Sequence, residues 1–104
     1  MGKYFNQDDV FPIIARLINE THRRKNDWVT HAEIVSAFLA DPAGYREVVA
    51  AWHKKQSWTK EQWAGNMVAW FSQRITERRT IYTDLFDREN QPGGYSYQPR
   101  RKQK

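Results

Sequence analysis

"TKEQWAGNMVAWFSQRI", residues 59–75, decides the fold. Thr59 and Gln62 have the spacing of a capping box: the hydroxyl accepts from the N3 amide and the N3 side chain reaches back to the cap. Trp58 and Trp63 then occupy the hydrophobic-staple positions on either side of the cap. On a wheel of about 100° per residue, Trp63, Ala64, Met67, Val68, Trp70, Phe71 and Ile75 fall together. That side predicts a core face for a helix over residues 60–78. Arg74 falls among these apolar positions; it must snorkel, or the helix must fray there.

The other side of the wheel holds Gln62, Gly65, Asn66, Ala69, Ser72, Gln73 and Thr76, and no charge. Solvated helix faces are usually lined with lysine and glutamate. Amides and small residues suit other purposes. Gln and Asn pair bidentately with adenine in the major groove, and Gly and Ala let a backbone come close. Gln62, Asn66 and Gln73 are therefore the candidate base-reading residues. Lys54, Lys55, Lys60, Arg78 and Arg79 cluster near the helix ends, where they could hold phosphates. Two further readings of this face stand beside that one: packing against a partner protein or a second copy, for which the tyrosine-bearing hairpin (Tyr95, Tyr97) could serve instead, and plain surface.

Just upstream, "WHKKQSWTKEQW" (52–63) puts three of five tryptophans among lysines. Helical spacing explains the rings as core: Trp58 and Trp63 as the staple, Trp52 as the last inward residue of the preceding helix. The lysines between them remain functional candidates.

Working outward, "THAE" from Thr30 is a second capping box, with Val29 and Ile34 as its staple. It opens a helix over 31–40 with Ile34, Val35, Phe38 and Leu39 inward. Asp41-Pro42 reads as an N-cap followed by Pro at N1, opening a helix over 42–55 with Tyr45, Val48, Val49 and Trp52 inward. A first helix over 10–24 buries Phe11, Ile14, Leu17 and Ile18, capped by Asp9, with Pro12 in its opening turn. "NDWV" predicts a turn and a short strand. Beyond residue 80 the period changes: "YTDLFD" and "YSYQ" alternate as strands about an "NQPGG" turn, a C-terminal β-hairpin. The fold class expected is mainly α with that hairpin. Residues 1–9 read as an N-terminal arm, 10–98 as one domain and 99–104 as a basic, disordered tail.

This order resembles a winged helix-turn-helix domain. The resemblance lies in "WVTHAEIVSAFL" (short strand, then a capped helix), "TKEQWAGNMVAWFSQRI" (recognition helix) and "FDRENQPGGYSY" (wing), and spans about residues 10–98. It implies that the outer face of residues 60–76 enters the major groove of double-stranded DNA, with the hairpin beside the phosphates or in the minor groove. The chain departs from the usual pattern in two ways. An extra helix over 42–55 precedes the recognition helix, and the wing is net acidic.

Charge agrees with an anionic partner. The formal net charge is +5, of which Arg100, Arg101, Lys102 and Lys104 supply +4; residues 52–79 carry six basic groups against two acidic ones. Arg100 and Arg101 join the candidate phosphate contacts. The basic end of the first helix, "THRRKND", is explained by cations suiting a helix C-terminus, or else contacts phosphate.

No chemistry of catalysis is legible. His22, His31 and His53 lack metal-ligand spacing and there is no cysteine. "DPAG" and "QPGG" are not phosphate cradles, and no serine sits in a nucleophile elbow. Asp84, Asp87 and Glu89 are close in sequence, but Asp84 and Asp87 would face opposite sides of a strand. The expectation is a non-enzyme without metal or cofactor. A chain with no secretion signal, no membrane-spanning run and no cysteine is expected to be soluble and cytoplasmic.

Overall fold

The structure is a computed structural model, described for residues 4–77, 81–91 and 94–99. Four helices precede a two-stranded antiparallel hairpin. The first, α1, spans Gln7–Lys25. It starts three residues before the expected position because Asn6, not Asp9, is the cap: its side chain accepts from the Asp8 amide at 2.9 Å. Asn and Asp cap about equally well. Asp8 and Asp9 instead sit in the first turn, where the helix dipole favours them. Pro12 consequently stands in the second turn, exposed, rather than in the first. Asn26 ends the helix at φ 56°, a left-handed conformation that Asn tolerates.

Both predicted capping boxes are formed. Helix α2, His31–Ala40, is capped by Thr30 and Glu33. Lys25 at the end of α1 reaches the same Glu33 carboxylate at 2.8 Å, so cap and helix pairing share one group. Helix α3 spans Pro42–Lys54. Asp41 joins α2 to α3 alone. Its amide closes α2 on the Ala37 carbonyl, its carboxylate accepts from Ala43 and Gly44 at the start of α3, and Arg16 of α1 binds it at 2.9 Å. Arg16 and these amides hold the Asp41 carboxyl below its ordinary pKa.

The inward face of α3 differs from the expected one. Gly44, Val48 and Ala51 are buried, whereas Tyr45 is 42% exposed. Gly44 determines this rotation: a Cβ there would come within 2.4 Å of the Phe38 carbonyl oxygen, so α3 crosses α2 at a point only glycine fits.

Helix α4 spans Lys60–Thr76 and is unbroken at Arg74. Arg74 lies over the Trp70 ring at 4.5 Å, pairs with Glu77 at 2.7 Å and donates to Gln7 of α1. Trp63, Ala64, Met67, Val68, Phe71 and Ile75 are buried as the wheel predicts, each large side chain contributing roughly 1.5–3 kcal/mol. Trp70 is only half-buried. Around Phe71 the rings of Phe11, Tyr82, Phe86 and Tyr97 converge, with centroids 5.3–6.2 Å away.

The hairpin pairs β1, Phe86–Gln91, with β2, Gly94–Pro99, in a register running from Phe86↔Pro99 to Gln91↔Gly94. The "YTDLFD" segment is not all strand. Residues Ile81–Asp84 form a 3-10 turn, and pairing starts only at Phe86. Asn90 and Gln91, assigned to the turn, belong to β1; Pro92 and Gly93 lie outside the described residues. The short strand expected in "NDWV" is one residue long: Val29 pairs antiparallel with Tyr97, so β2 lies between β1 and this bridge.

Candidate functional site

The wheel's neutral face is a real surface with one correction. Gln62, Ala69, Gln73 and Thr76 are exposed and Gly65 and Asn66 half-exposed, but Ser72 is buried. The chain's own hairpin covers it. The hydroxyls of Ser72 and Tyr97 are hydrogen-bonded to each other, and Arg88 of β1 donates to the Ser72 carbonyl at 2.8 Å and bonds the Thr76 hydroxyl. The guanidinium also lies 4.0 Å from the Tyr95 ring centroid. Burial raises the Tyr97 hydroxyl pKa above its ordinary value. A helical wheel assigns faces without knowing where a later hairpin folds, so the sequence missed this contact. Arg88, alone among acids in the wing, was the available signal.

The remaining strip runs Gln62, Gly65, Asn66, Ala69, Gln73, Thr76. It is open near its N-terminal end: a Cβ built on Gly65 meets nothing within 4 Å. Glycine inside a helix costs roughly 1 kcal/mol against alanine, and no packing among the described residues requires it here. Two of the three candidate readers also have local partners. Gln62 accepts from the Thr59 amide at 2.7 Å as part of the capping box, and Gln73 donates to Glu77 at 3.1 Å. Asn66, between them, makes no such side-chain bond among the described residues and is the most central of the three.

The candidate phosphate contacts divide. Lys54 is exposed at the end of α3. Lys55 and Lys60 stand on aromatic rings. The Lys55 ammonium is 4.2 Å from the Trp58 ring and 5.9 Å from Tyr4. The Lys60 ammonium is 5.0 Å from Trp52 and 5.6 Å from Tyr45, and donates to the Tyr45 hydroxyl. Such contacts are worth roughly 0.5–1 kcal/mol at exposed sites. They hold long, mobile side chains in defined positions at the N-terminal end of α4. Arg78, Arg79, Arg100 and Arg101 lie outside the described residues.

The tryptophan question thus has a divided answer. Trp58 and Trp63 do form the staple, at 4.7 Å, and Trp63 is 2% exposed with its indole donating to the Lys55 carbonyl. Trp52 and Trp58, however, are only half-buried, and their ring faces carry lysines.

The hairpin flanks the strip without closing it. The period of two turns Phe86, Arg88, Tyr95 and Tyr97 to the protein side of the sheet, and sets Asp87 and Glu89 on the opposite side. Gly94, at φ 135°, presses on His31: a Cβ there would lie 2.9 Å from that of His31. Burial lowers the His31 pKa. Between the hairpin tip and α4 lies a groove of about 350 Å³, lined by His31, Ala69, Gln73, Thr76, Gly94 and Tyr95.

The histidines have structural surroundings. His22 donates to the Asp27 carbonyl at 2.9 Å, and His53 stacks edgewise on Trp52. Among the described residues, no group of three His, Asp or Glu could hold a metal. No helix among them is long and apolar enough to cross a membrane. Comparison with protein-family models, with curated proteins and with solved structures finds no match.

Proposed function

We propose that the chain is a non-catalytic, winged-helix-like domain that binds double-stranded DNA, with α4 as its reading helix. The carrying observation is the uncharged strip from Gln62 to Thr76. It lies on a helix fixed by its buried indole side, and near its N-terminal end a Cβ built on Gly65 would meet nothing within 4 Å. A base edge in the major groove asks for amide side chains on a backbone that can approach closely. The Val29–Tyr97 bridge supports the winged-helix resemblance, since it supplies the short strand ahead of the capped helix. Lys54, Lys55 and Lys60 at one end of the strip act as phosphate contacts, joined by Arg78, Arg79, Arg100 and Arg101 from the basic segments. Asn66 carries the central base contact. Gln62 and Gln73 read through whichever amide atoms their local bonds leave available.

The test is a titration of random and selected duplexes at two salt concentrations. Binding falls steeply between about 50 and 200 mM salt when several phosphates are neutralised. Ala69→Glu places a carboxylate on the open strip and abolishes binding with an unchanged circular dichroism spectrum. Asn66→Ala lowers the preference among sequences by ~1–3 kcal/mol, the range for a bidentate base contact. Duplex binding that survives Ala69→Glu refutes this use of α4.

A second reading has its own observation. The groove between α4 and the hairpin tip is walled by Ala69, Tyr95 and the aliphatic parts of its neighbours. This favours an apolar side chain of a protein partner over a phosphate. Such an interface would bind with little salt dependence, and so the same titration separates the two.

A further inference from the structure

The N-terminal end of α4 carries more exposed aromatic surface than the core needs. Tyr4 and Tyr45 are 38% and 42% exposed, and Trp52 and Trp58 half-buried. Beneath them Trp63 forms a floor, 5.3 Å from Tyr4 and 4.7 Å from Trp58. Two ammonium groups lie over these rings, Lys55 between Trp58 and Tyr4, and Lys60 between Trp52 and Tyr45. Glu61 is the sole acid in residues 52–63. A cation over a ring is a self-supplied cover that an incoming group can displace. The geometry points to a second binding site here, for unpaired nucleotides of single-stranded DNA or RNA.

The exchange is electrostatically balanced. Each lysine leaves its ring for a backbone phosphate, and the base of that nucleotide takes the vacated ring face. Rings alternating with ammonium groups are the pattern by which proteins hold single strands, since every base offers a π-face. Duplex DNA does not fit, because its base faces are already stacked on one another. The pattern also argues against an acidic peptide, which would use the lysines and leave the rings unengaged. The site shares Lys55 and Lys60 with the duplex reading but requires nothing of the α4 strip, so either can fail alone.

The experiment is tryptophan fluorescence of the full chain titrated with a 12-mer of thymidine, an abasic 12-mer of equal charge, and a random duplex. Expected are quenching by the thymidine strand, and affinity at least about tenfold lower for the abasic strand, which offers phosphates without bases. Tyr45→Ala, on an exposed side of α3, keeps the fold and weakens thymidine binding about fivefold or more; Tyr4→Ala is the independent second variant. Asn66→Ala leaves thymidine binding unchanged while altering duplex preference. Equal affinity for the abasic strand, or thymidine binding untouched by both tyrosine variants, would overturn the proposal.

Discussion

Val29 and Tyr97 exchange both of their backbone hydrogen bonds, at 2.7 and 2.8 Å, across 68 residues of chain. Val29 is fully buried and so is Tyr97. This pair ties the entry to α2 to the middle of the hairpin. The Tyr97 side chain then reaches across to Ser72, so one residue fixes the hairpin both to the α1–α2 connection and to α4. The position of the hairpin beside the α4 strip is set by these bonds.

Ser72→Ala removes the partner of a buried phenol. The expected loss is ~1–3 kcal/mol, the desolvation cost of an unsatisfied hydroxyl, read as a lower urea midpoint. Tyr97→Phe in the same background restores part of it, because no orphaned hydroxyl then remains. A double-variant loss equal to the sum of the Ser72→Ala and Tyr97→Phe losses would mean that this hydroxyl pair carries no coupling.

Gly65→Ala and Gly44→Ala act in opposite directions. At Gly65 the added methyl meets open space and improves helix propensity, raising stability by roughly 0.5–1 kcal/mol. At Gly44 it collides with the Phe38 carbonyl, and the variant loses stability or forces α2 and α3 apart. Chemical denaturation of the two variants decides both. A Gly65→Ala protein that is more stable yet weaker for duplex DNA would also identify the glycine as a site of close approach.

Acidity separates the carboxylates. Burial, then the nearby Asp9, raises the Glu47 pKa above its ordinary value of 4.5. A raised carboxyl stabilises the fold while protonated, below the unfolded value, and that contribution is lost as pH rises through the folded value. Glu47→Gln therefore raises the melting temperature at pH 7, and its advantage over the parent vanishes towards pH 4. Asp41 has the opposite sign. Its folded pKa is depressed below 3.8, so its contribution is present above that value and lost as the pH falls further. Thermal melts of parent and Glu47→Gln across pH 3–8 give the comparison.

What the sequence made legible was local. The boxes at Thr30 and Thr59, the Asp41-Pro42 start and the Trp58–Trp63 staple each depend on residues within five positions, and each is formed as expected. Errors arose where long-range packing decides. Tyr45 reads as inward by its hydrophobicity, but the clash that Gly44 avoids turns α3 so that Tyr45 faces out. Ser72 reads as surface until Arg88 and Tyr97 cover it. The lysines of 52–63 were visible as charge; that rings hold Lys55 and Lys60 in place could not be read before α3 and α4 were seen to meet.

Asp41 leaves no slack between α2 and α3, for one residue ends the first helix and starts the second while Arg16 clamps it to α1. That elbow joins α1, α2 and α3 through one carboxylate. The linker to α4 is different: residues 55–59 form a turn whose anchors are the Thr59 cap and the indole of Trp63. On the proposed duplex reading, shortening those five residues would pull the N-terminal end of α4 towards α3 and so displace the strip that it offers.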